Sequence, residues 1–235
     1  MSLANVAYQP YYTREGGVAT LEMQVLVPIQ EHNEFNLNIL LIAERLKMDT
    51  AYVRLSNEAY GRDPDFYIIT RGIACFERTM ISGESRYDQY FFQQKNGALT
   101  AAERRGMDLF FSKKTSCSDC HSGFNFSNYA FENNGLYENY PDPGRFRLTE
   151  DSTDLARFKI PTLRNVALTA PYMHDGSIAT LESVVEHYNS GGKNHPHKSQ
   201  LVRPLGLSLQ EKGDLVAFLK SLTDEHFVSN PKFRP

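Results

Sequence analysis

The chain has 235 residues, long enough for one large or two small domains, and 41% of them are hydrophobic, which is enough to build a core. The formal net charge of −3 gives no reason to expect a nucleic-acid partner. No apolar run reaches the roughly 18 residues that a membrane-spanning helix needs, so the sequence predicts no membrane span.

In chain order, the sequence predicts a mostly α-helical fold with weak strand signals. Residues 36–60 predict one or two helices. Residues 65–80 predict another, because apolar side chains recur there at spacings of three and four, at Phe66, Ile69, Ile73, Phe76 and Met80. We expect Cys75, on the same helix, to be a buried and inert thiol. No internal repeat is predicted.

Three further helices are predicted from residues that favour helix starts. These residues are Thr100 with Glu103, Thr180, and Ser208 with Glu211. The first helix leads directly to residue 117, and Gly191 ends the second. A domain boundary is expected near residues 95–98, where the sequence is Lys-Asn-Gly-Ala.

Residues 117–121 read Cys-Ser-Asp-Cys-His, the C-x-x-C-H pattern by which c-type haem is attached. In this pattern the thiols of Cys117 and Cys120 bond to the haem edge, and His121 becomes the proximal iron ligand. A thioredoxin-like redox pair would need a βαβ context, which the chain lacks. A zinc site would need a second ligand pair, and the nearest pair, His195 and His197, lies in a loop rich in Gly, Lys, Asn and Pro. We therefore predict one haem c site in this chain.

The haem motif organises the rest of the chain. Residues 122–160 form a loop-rich stretch, and a loop this long is uncommon unless it surrounds something. Residues 98–222 then have the order of a small cytochrome c-like unit, namely a helix, the motif, loops, a ligand segment and a closing helix. Residues 1–97 contain no haem motif and look like part of something else.

The second axial ligand of the iron must come from further along the chain. The segment 169–177 offers Met173 and His174, and the next predicted helix offers His187 and Tyr188. By chemistry alone Met173 is the default ligand of an electron-transfer haem, because a thioether favours ferrous iron. A tyrosine at an apolar helical position is more often a core residue, so the residues by themselves leave the choice open.

The chain resembles the bacterial di-haem cytochrome c peroxidases and their MauG-like relatives over nearly its whole length. The segments that carry the resemblance are residues 21–24, 74–79, 85–90, 117–121, 142–145 and, most specifically, 158–176, which read Phe-Lys-Ile-Pro-Thr-Leu-Arg-Asn-Val-Ala-Leu-Thr-Ala-Pro-Tyr-Met-His-Asp-Gly. The resemblance implies two haem c domains, one peroxidatic and one for electron transfer. Residues 98–235 would be the electron-transfer domain, and residues 1–97 the C-terminal part of the peroxidatic domain.

The first C-x-x-C-H of the family would lie upstream of Met1, so the resemblance implies either a fragment of a two-haem protein, which we favour, or a protein that has lost the peroxidatic haem. The sequence has no recognisable signal peptide, although haem c is normally attached outside the cytoplasm, so we expect a mature or truncated form of a periplasmic protein. The family often forms homodimers.

The resemblance changes the expected distal ligand. It places that ligand seventeen residues after Pro171, at Tyr188, where MauG-like members have Tyr and other peroxidases have Met. Tyr188 is therefore expected to ligate the iron, with Met173 as the alternative. The family also implies Ca²⁺ bound through the backbone carbonyls of Thr169 and Pro171, and carbonyl oxygens suit that ion.

Two residues match the peroxide pocket of the family. Gln24 would hydrogen-bond the peroxide, and Glu34 would move a proton between its oxygens as the O–O bond breaks. One departure concerns electron transfer, because Arg14 stands where the family usually has a relay Trp, and the chain has no Trp. Either Tyr11 or Tyr12 serves instead, or electrons tunnel further.

The resemblance implies an oxidoreductase that reduces hydrogen peroxide with electrons from a small donor protein, a cytochrome c or a cupredoxin. The first alternative is a MauG-like enzyme that oxidises a protein or organic substrate, which the missing Trp puts in doubt. The second alternative is a mono-haem electron carrier without catalysis. A second C-x-x-C-H upstream would exclude the carrier.

Overall fold

The computed structural model describes residues 2–233, which fold mainly into helices joined by long loops. The helices are α1 (Leu21–Gln30), α2 (Ile39–Lys47), α3 (Thr50–Tyr60), α4 (Phe66–Arg78), α5 (Arg86–Phe91), α6 (Ala101–Phe110), α7 (Cys117–Cys120), α8 (Phe146–Thr149), α9 (Leu181–Ser190), α10 (Leu209–Ser221) and α11 (Glu225–Ser229). Two short antiparallel strands, β1 (Phe131–Glu132) and β2 (Phe158–Lys159), pair Phe131 with Lys159. Within residues 2–233, no helix is both long and apolar enough to cross a membrane. The mostly α prediction is confirmed.

The helices predicted from capping residues form where expected. Both predicted capping boxes are present, with Thr100 capping α6 and Ser208 capping α10. The side chain of Thr180 accepts a hydrogen bond from a backbone N–H of the first turn of α9, and Gly191 ends that helix at φ 83°. Such caps act within four residues, which explains why sequence alone locates these helix starts.

The closest helix pair is α6 with α10. A Cβ atom built on Gly106 would lie 1.9 Å from the carbonyl oxygen of Asp214, so only glycine permits this approach. Arg105 of α6 makes a two-pronged ion pair with Asp214, with both N–O distances 2.8 Å. Phe110 and Phe218 are almost fully buried where the two helices meet.

The buried apolar residues fall into two clusters. The C-terminal cluster consists of Tyr87, Phe110, Phe126, Val166, Leu181, Val185, Leu207, Leu215, Val216, Phe218, Leu219 and Leu222. The N-terminal cluster consists of Val6, Tyr12, Leu21, Val25, Ile29, Ile39, Ala43, Ile69 and Ala74. Residues before position 98 mostly pack in the N-terminal cluster, but Tyr87 of helix α5 packs in the C-terminal cluster.

The predicted burial of Cys75 is wrong, because this thiol is exposed. Helix α4 forms as predicted, but it turns Ile69 and Ala74 inward and leaves Ile73 and Phe76 partly exposed. The predicted apolar face is therefore largely not the buried face. The spacing of apolar residues identifies a helix, whereas burial depends on which elements pack against it.

The prediction of no internal repeat is also wrong. From Leu3 to Val25 and from Leu163 to Val185 the chain repeats itself without a gap, and eleven positions are identical at a constant separation of 160 residues. The matching structural features are Asn5 (φ 57°) and Asn165 (φ 58°), the 3₁₀ turns Val6–Tyr8 and Val166–Leu168, Thr13 (φ 64°) and Met173 (φ 73°), Gly16 (φ 76°) and Gly176 (φ 74°), the bridges Tyr12–Val18 and Tyr172–Ile178, and the helices α1 and α9.

The helices that follow each copy are also equivalent. Asn5 N–H donates to the carbonyl of Met80 just after α4, and Asn165 N–H donates to the carbonyl of Leu222 just after α10. Helix α4 therefore corresponds to α10, and Phe76 corresponds to Phe218. Phe218 is 0% exposed beneath α6, whereas Phe76 is 47% exposed. Within residues 2–233, α4 has no helix packed on it in the way that α6 covers α10.

Candidate haem site

The haem motif lies on a single helical turn, α7. Ser116 enters the turn with φ 52°, and the N–H of His121 closes it by donating to the carbonyl of Cys117 at 2.9 Å. This local geometry places both thiols and the imidazole on adjoining positions of a tight turn. The two cysteines, separated by two residues, are therefore the first and last residues of one helical turn.

One ring nitrogen of His121 is already engaged. Its Nδ1 lies 3.0 Å from the carbonyl oxygen of Phe126, so a proton on Nδ1 is donated there and Nε2 is left as the ligand atom. Burial lowers the pKa of His121, and the carbonyls of Phe126 and Pro161 oppose this effect only in part. The imidazole is therefore held neutral, as an iron ligand must be.

Burial disfavours the thiolate form of both cysteines of the motif. Burial raises the pKa of Cys117, and burial, with the nearby acidic residues, raises that of Cys120 to about 11. A reactive or metal-binding thiol is expected to have a lowered pKa. In the part of the chain that the structure describes, no cluster of three or more His, Cys, Asp or Glu side chains could hold a metal ion. His195 hydrogen-bonds to Asn133 instead.

The phenol of Tyr188, on α9, lies near the motif. Burial raises its pKa, a hydrogen bond from Asn134 opposes this, and negative charge on Cys117 or Cys120 would raise it further. The hydroxyl is thus within electrostatic reach of both thiols. Of the residues named from the sequence, Tyr188 is one that the fold brings to the haem motif.

Met173 lies beside Tyr188. The amide nitrogen of Asn134 is 3.3 Å from the Met173 sulfur and 3.5 Å from the Tyr188 hydroxyl oxygen, so one side chain contacts both candidate ligands. The two histidine candidates have other partners. His187 donates from Nε2 to the carbonyl of Asn134 at 3.0 Å, and the His174 ring stacks on Phe158 with centroids 4.0 Å apart.

These residues fit a haem c. Two thiols stand on one turn beside a partly buried imidazole, and an oxygen donor on α9 lies near a sulfur donor in the loop before that helix. A thiol pair, an imidazole and a Tyr or Met donor are the protein groups that bind haem iron or attach a haem covalently. Bound there, a haem c would supply reversible electron storage.

Gln24 and Glu34 occupy different environments. Gln24 is half-buried on α1, and its side-chain carbonyl oxygen is buried without a hydrogen-bond partner among the described residues. Glu34 is exposed in the turn that follows α1. Because a buried polar atom normally has a partner, the unsatisfied oxygen of Gln24 is suited to a ligand or to a further part of the protein. One side-chain oxygen of Glu77, on α4, is also buried and unpartnered, and burial raises the pKa of Glu77.

Arg14 bridges the N-terminal part of the chain to the segment that carries Met173. Its guanidinium donates to the carbonyl of His174 at 2.9 Å and pairs with Asp142 at 2.8 Å. Tyr11 stacks on Phe131 with centroids 5.2 Å apart, whereas Tyr12 is buried in the N-terminal cluster. Arg14 thus has a structural role at the position where the family usually has a redox-active Trp.

Thr169 and Pro171 are exposed in the loop before α9. Among residues 2–233, no hydrogen bond is made to either carbonyl oxygen. Both oxygens are therefore available to a cation.

The sequence reasoning missed Asn134. The residue lies in the long loop 122–160, just after β1 and before Gly135 (φ 67°). Asparagine is common in loops for conformational reasons, so nothing in its sequence context distinguishes it. Only the fold shows that it contacts both candidate ligands.

Known proteins resemble this chain along most of its length. The family model described as di-haem cytochrome c peroxidase matches residues 1–96. The methylamine utilization protein MauG of Methylorubrum extorquens is 35% identical over 225 residues, which cover 94% of this chain and 63% of that protein. The cytochrome-c peroxidase IdrP1 of Denitromonas iodatirespirans is 32% identical, over 98% of this chain and 70% of that protein.

A solved structure agrees with these matches. A MauG-like protein associated with microbial copper homeostasis superimposes with a TM-score of 0.91 and 36% sequence identity, covering 99% of this chain and 77% of that one. The chain thus spans about two thirds of the length of the MauG and peroxidase relatives. From the matched segments, the shared fold and the haem motif, we conclude that the chain belongs to the di-haem cytochrome c peroxidase and MauG-like family.

Proposed function

We propose that the protein to which this chain belongs is a di-haem peroxidase that reduces hydrogen peroxide to water. Each peroxide takes up two electrons and two protons, and its O–O bond breaks to give two water molecules. Membership of the family implies haem c as the cofactor. In this chain Cys117 and Cys120 would hold it, and His121 and Tyr188 would be the ligands of its iron.

The internal repeat is the observation that carries this proposal. Helices α1 and α9 are equivalent, and the position of Tyr188 in α9 corresponds to Pro28 in α1. Proline has no side-chain donor for iron. One unit therefore has a ligand that would close the distal face of a haem, whereas the other has a residue that would leave it open to a small molecule. This asymmetry is what a division between electron transfer and peroxide chemistry requires.

The repeat also supports a two-domain arrangement. We assign residues 98–235 to the electron-transfer haem domain and residues 1–97 to the C-terminal part of a peroxidatic domain. Phe76 on α4 is 47% exposed and contacts only the edge of the Phe233 ring among aromatic side chains of the described residues, whereas its counterpart Phe218 is 0% exposed beneath α6. A helix equivalent to α6 in the full-length protein would cover Phe76 and lead into the second of two haem sites.

Gln24 and Glu34 would act on the peroxide. Gln24 lies one helical turn before Pro28, so it faces the same side of α1, and its unsatisfied carbonyl oxygen can accept a hydrogen bond from the peroxide. Glu34, exposed after the end of α1, can carry a proton from one peroxide oxygen to the other.

Other properties belong to the same proposal. The free carbonyls of Thr169 and Pro171 would bind Ca²⁺. The electron donor would be a small cytochrome c or cupredoxin. Because haem c is attached outside the cytoplasm, the protein would act in the periplasm. It would form a homodimer, as members of the family often do.

A second candidate is a MauG-like oxidation of a protein or organic substrate. The observation that favours it is Tyr188, because a tyrosinate is an anionic donor that stabilises ferric iron, unlike the thioether of Met. Arg14 argues against this second candidate function, because a guanidinium cannot be oxidised to relay electrons to a distant substrate.

The natural full-length protein, isolated with its haem, tests the proposal. We expect two haems per chain and peroxide loss coupled to oxidation of a reduced cytochrome c or cupredoxin. A single haem without peroxide turnover would support the mono-haem carrier instead. Peroxide loss that proceeds only with oxidation of an added protein substrate would favour the second candidate.

Matched variants test the proton carrier. Glu34→Gln should lower peroxide turnover about a hundredfold, the lower range of general acid–base catalysis. Glu31→Gln removes the same charge from the same exposed segment and should leave turnover unchanged. Equal turnover in the two variants would exclude Glu34.

A further inference from the structure

The side chain of Asn134 joins the two candidate ligands of the haem iron. Its amide nitrogen donates toward the sulfur of Met173 at 3.3 Å and toward the hydroxyl oxygen of Tyr188 at 3.5 Å. An amide nitrogen carries two hydrogens, so both contacts can be made together.

A contact with the neighbouring backbone favours one orientation of this amide. Its oxygen accepts a hydrogen bond from the backbone N–H of Leu136 at 3.2 Å. It also lies 3.3 Å from the hydroxyl oxygen of Tyr140, whose single hydrogen has a nearer acceptor in the side-chain oxygen of Asn133 at 3.2 Å. The Tyr140 hydroxyl in turn accepts from Leu136 N–H at 2.7 Å. Rotating the amide by half a turn would set an N–H group against the Leu136 N–H, so this contact favours the orientation in which the nitrogen faces Tyr188.

The backbone of Asn134 is anchored to the same helix as its side-chain partner. His187, which immediately precedes Tyr188 in α9, donates from Nε2 to the Asn134 carbonyl at 3.0 Å. The loop after β1 and the ligand-bearing turn of α9 are thus joined at two adjacent residues. These two contacts hold the Asn134 side-chain amide next to the Tyr188 hydroxyl.

We propose that Asn134 is a positioning residue that donates a hydrogen bond to the Tyr188 oxygen when this oxygen ligates the haem iron, and that keeps the Met173 thioether from taking its place. The inference rests on the proposed haem site. An N–H donor draws electron density from an anionic oxygen, which weakens its donation to the iron. The ferric state is then less stabilised, and the midpoint potential is higher than an unsupported tyrosinate would give.

The 235-residue chain, produced together with haem-attachment machinery, provides the test because only its own haem contributes to the signal. Asn134→Leu removes the donor without adding charge. Asn134→Asp removes the donor but keeps an oxygen for the Leu136 N–H, so its fold should be preserved. The control is Asn189→Asp, which adds the same charge to α9 and keeps the contact from its side-chain oxygen to Leu207 N–H.

The readout is the midpoint potential of the haem together with its ferric absorption spectrum. Relative to the native chain, Asn134→Leu should shift the ferric-to-ferrous ratio at a set potential about tenfold toward ferric, the scale of one charge-assisted hydrogen bond. Asn134→Asp should shift it further in that direction than Asn189→Asp does. If Asn134→Leu fails to take up haem, equal potentials in the two aspartate variants would still overturn the role of Asn134.

Potentials that are unchanged in Asn134→Leu, or equal in the two aspartate variants, would overturn the role of Asn134. Failure of the proposed haem site gives a different result. In that case Tyr188→Phe itself would leave the ferric spectrum and the potential unchanged. A tyrosine-dependent spectrum that is insensitive to Asn134 therefore rejects this inference alone.

Discussion

Replacing Asp88 by Asn should destabilise the protein severely, because it breaks a buried ion pair that holds α5 to the segment before α9. Both Arg164 terminal nitrogens contact the Asp88 carboxylate, at 2.7 and 2.9 Å, and the two side chains are 0% and 1% exposed. Removing the anion leaves a guanidinium buried without its charge partner.

The magnitude follows from what Arg164 retains. Breaking a buried pair costs about 3–5 kcal/mol. Arg164 would keep its hydrogen bond to the carbonyl of Phe124 at 2.7 Å and its position over that ring, 4.2 Å from the centroid. These contacts favour the lower end, about 3 kcal/mol, which is a large share of the roughly 5–15 kcal/mol by which a domain is stable. The melting temperature should fall by about 6–12 °C.

Chemical denaturation of the native chain and the variant measures the loss. Glu44→Gln is the control, since it removes one charge from an exposed pair with Lys47, in which the side chains are 67% and 42% exposed, and should cost less than about 1 kcal/mol. Replacing both Asp88 and Arg164 by apolar residues should recover part of the loss, because no unpaired charge remains. A free energy of unfolding for Asp88→Asn equal to that of Glu44→Gln would refute the reasoning.

Three further predictions concern packing, ligation and pH. Gly106→Ala should cost about 1–3 kcal/mol in denaturation, because its methyl group would overlap the backbone of α10. In the haem-loaded chain, Tyr188→Phe should abolish the low-spin ferric absorption spectrum, whereas Met173→Leu should leave it unchanged. Burial raises the pKa of Asp175, but hydrogen bonds from Tyr137 and a backbone amide outweigh burial and lower the pKa to about 2. Because this folded-state pKa is below the ordinary value of about 4, the stabilisation is present above pH 4 and lost toward pH 2, and Asp175→Asn should flatten that part of the pH–stability curve.

Each of these predictions has its own contrary outcome. Gly72→Ala is the control for packing, since nothing lies within 4 Å of its added methyl group and alanine favours a helix, so this variant should gain up to about 1 kcal/mol. Equal effects of the two glycine variants would reject the packing argument. A spectrum altered by Met173→Leu would make the thioether the ligand. Parallel pH curves for the native chain and Asp175→Asn would show that this carboxyl does not couple to folding.

Features set by nearby residues could be predicted from the sequence. The starts of α6 and α10 follow from capping boxes that span three residues. The C-x-x-C-H motif likewise identifies its own chemistry, because the two thiols and the imidazole lie within one turn.

Features that depend on distant partners could not be predicted in the same way. Cys75 has the periodicity of a buried residue, but its thiol is exposed, because burial depends on how neighbouring elements pack against α4. The copies of the repeat are 160 residues apart, and Asn5 and Asn165 share the same left-handed backbone and equivalent backbone contacts to the end of a helix.

The sequence by itself predicts a haem c attached at Cys117 and Cys120 with His121 as its ligand, because that chemistry needs only five consecutive residues. Tertiary structure alone decided that Tyr188 and Met173 share a hydrogen-bond donor in Asn134. The physical reason is that side chains far apart in the chain approach each other only when helices pack.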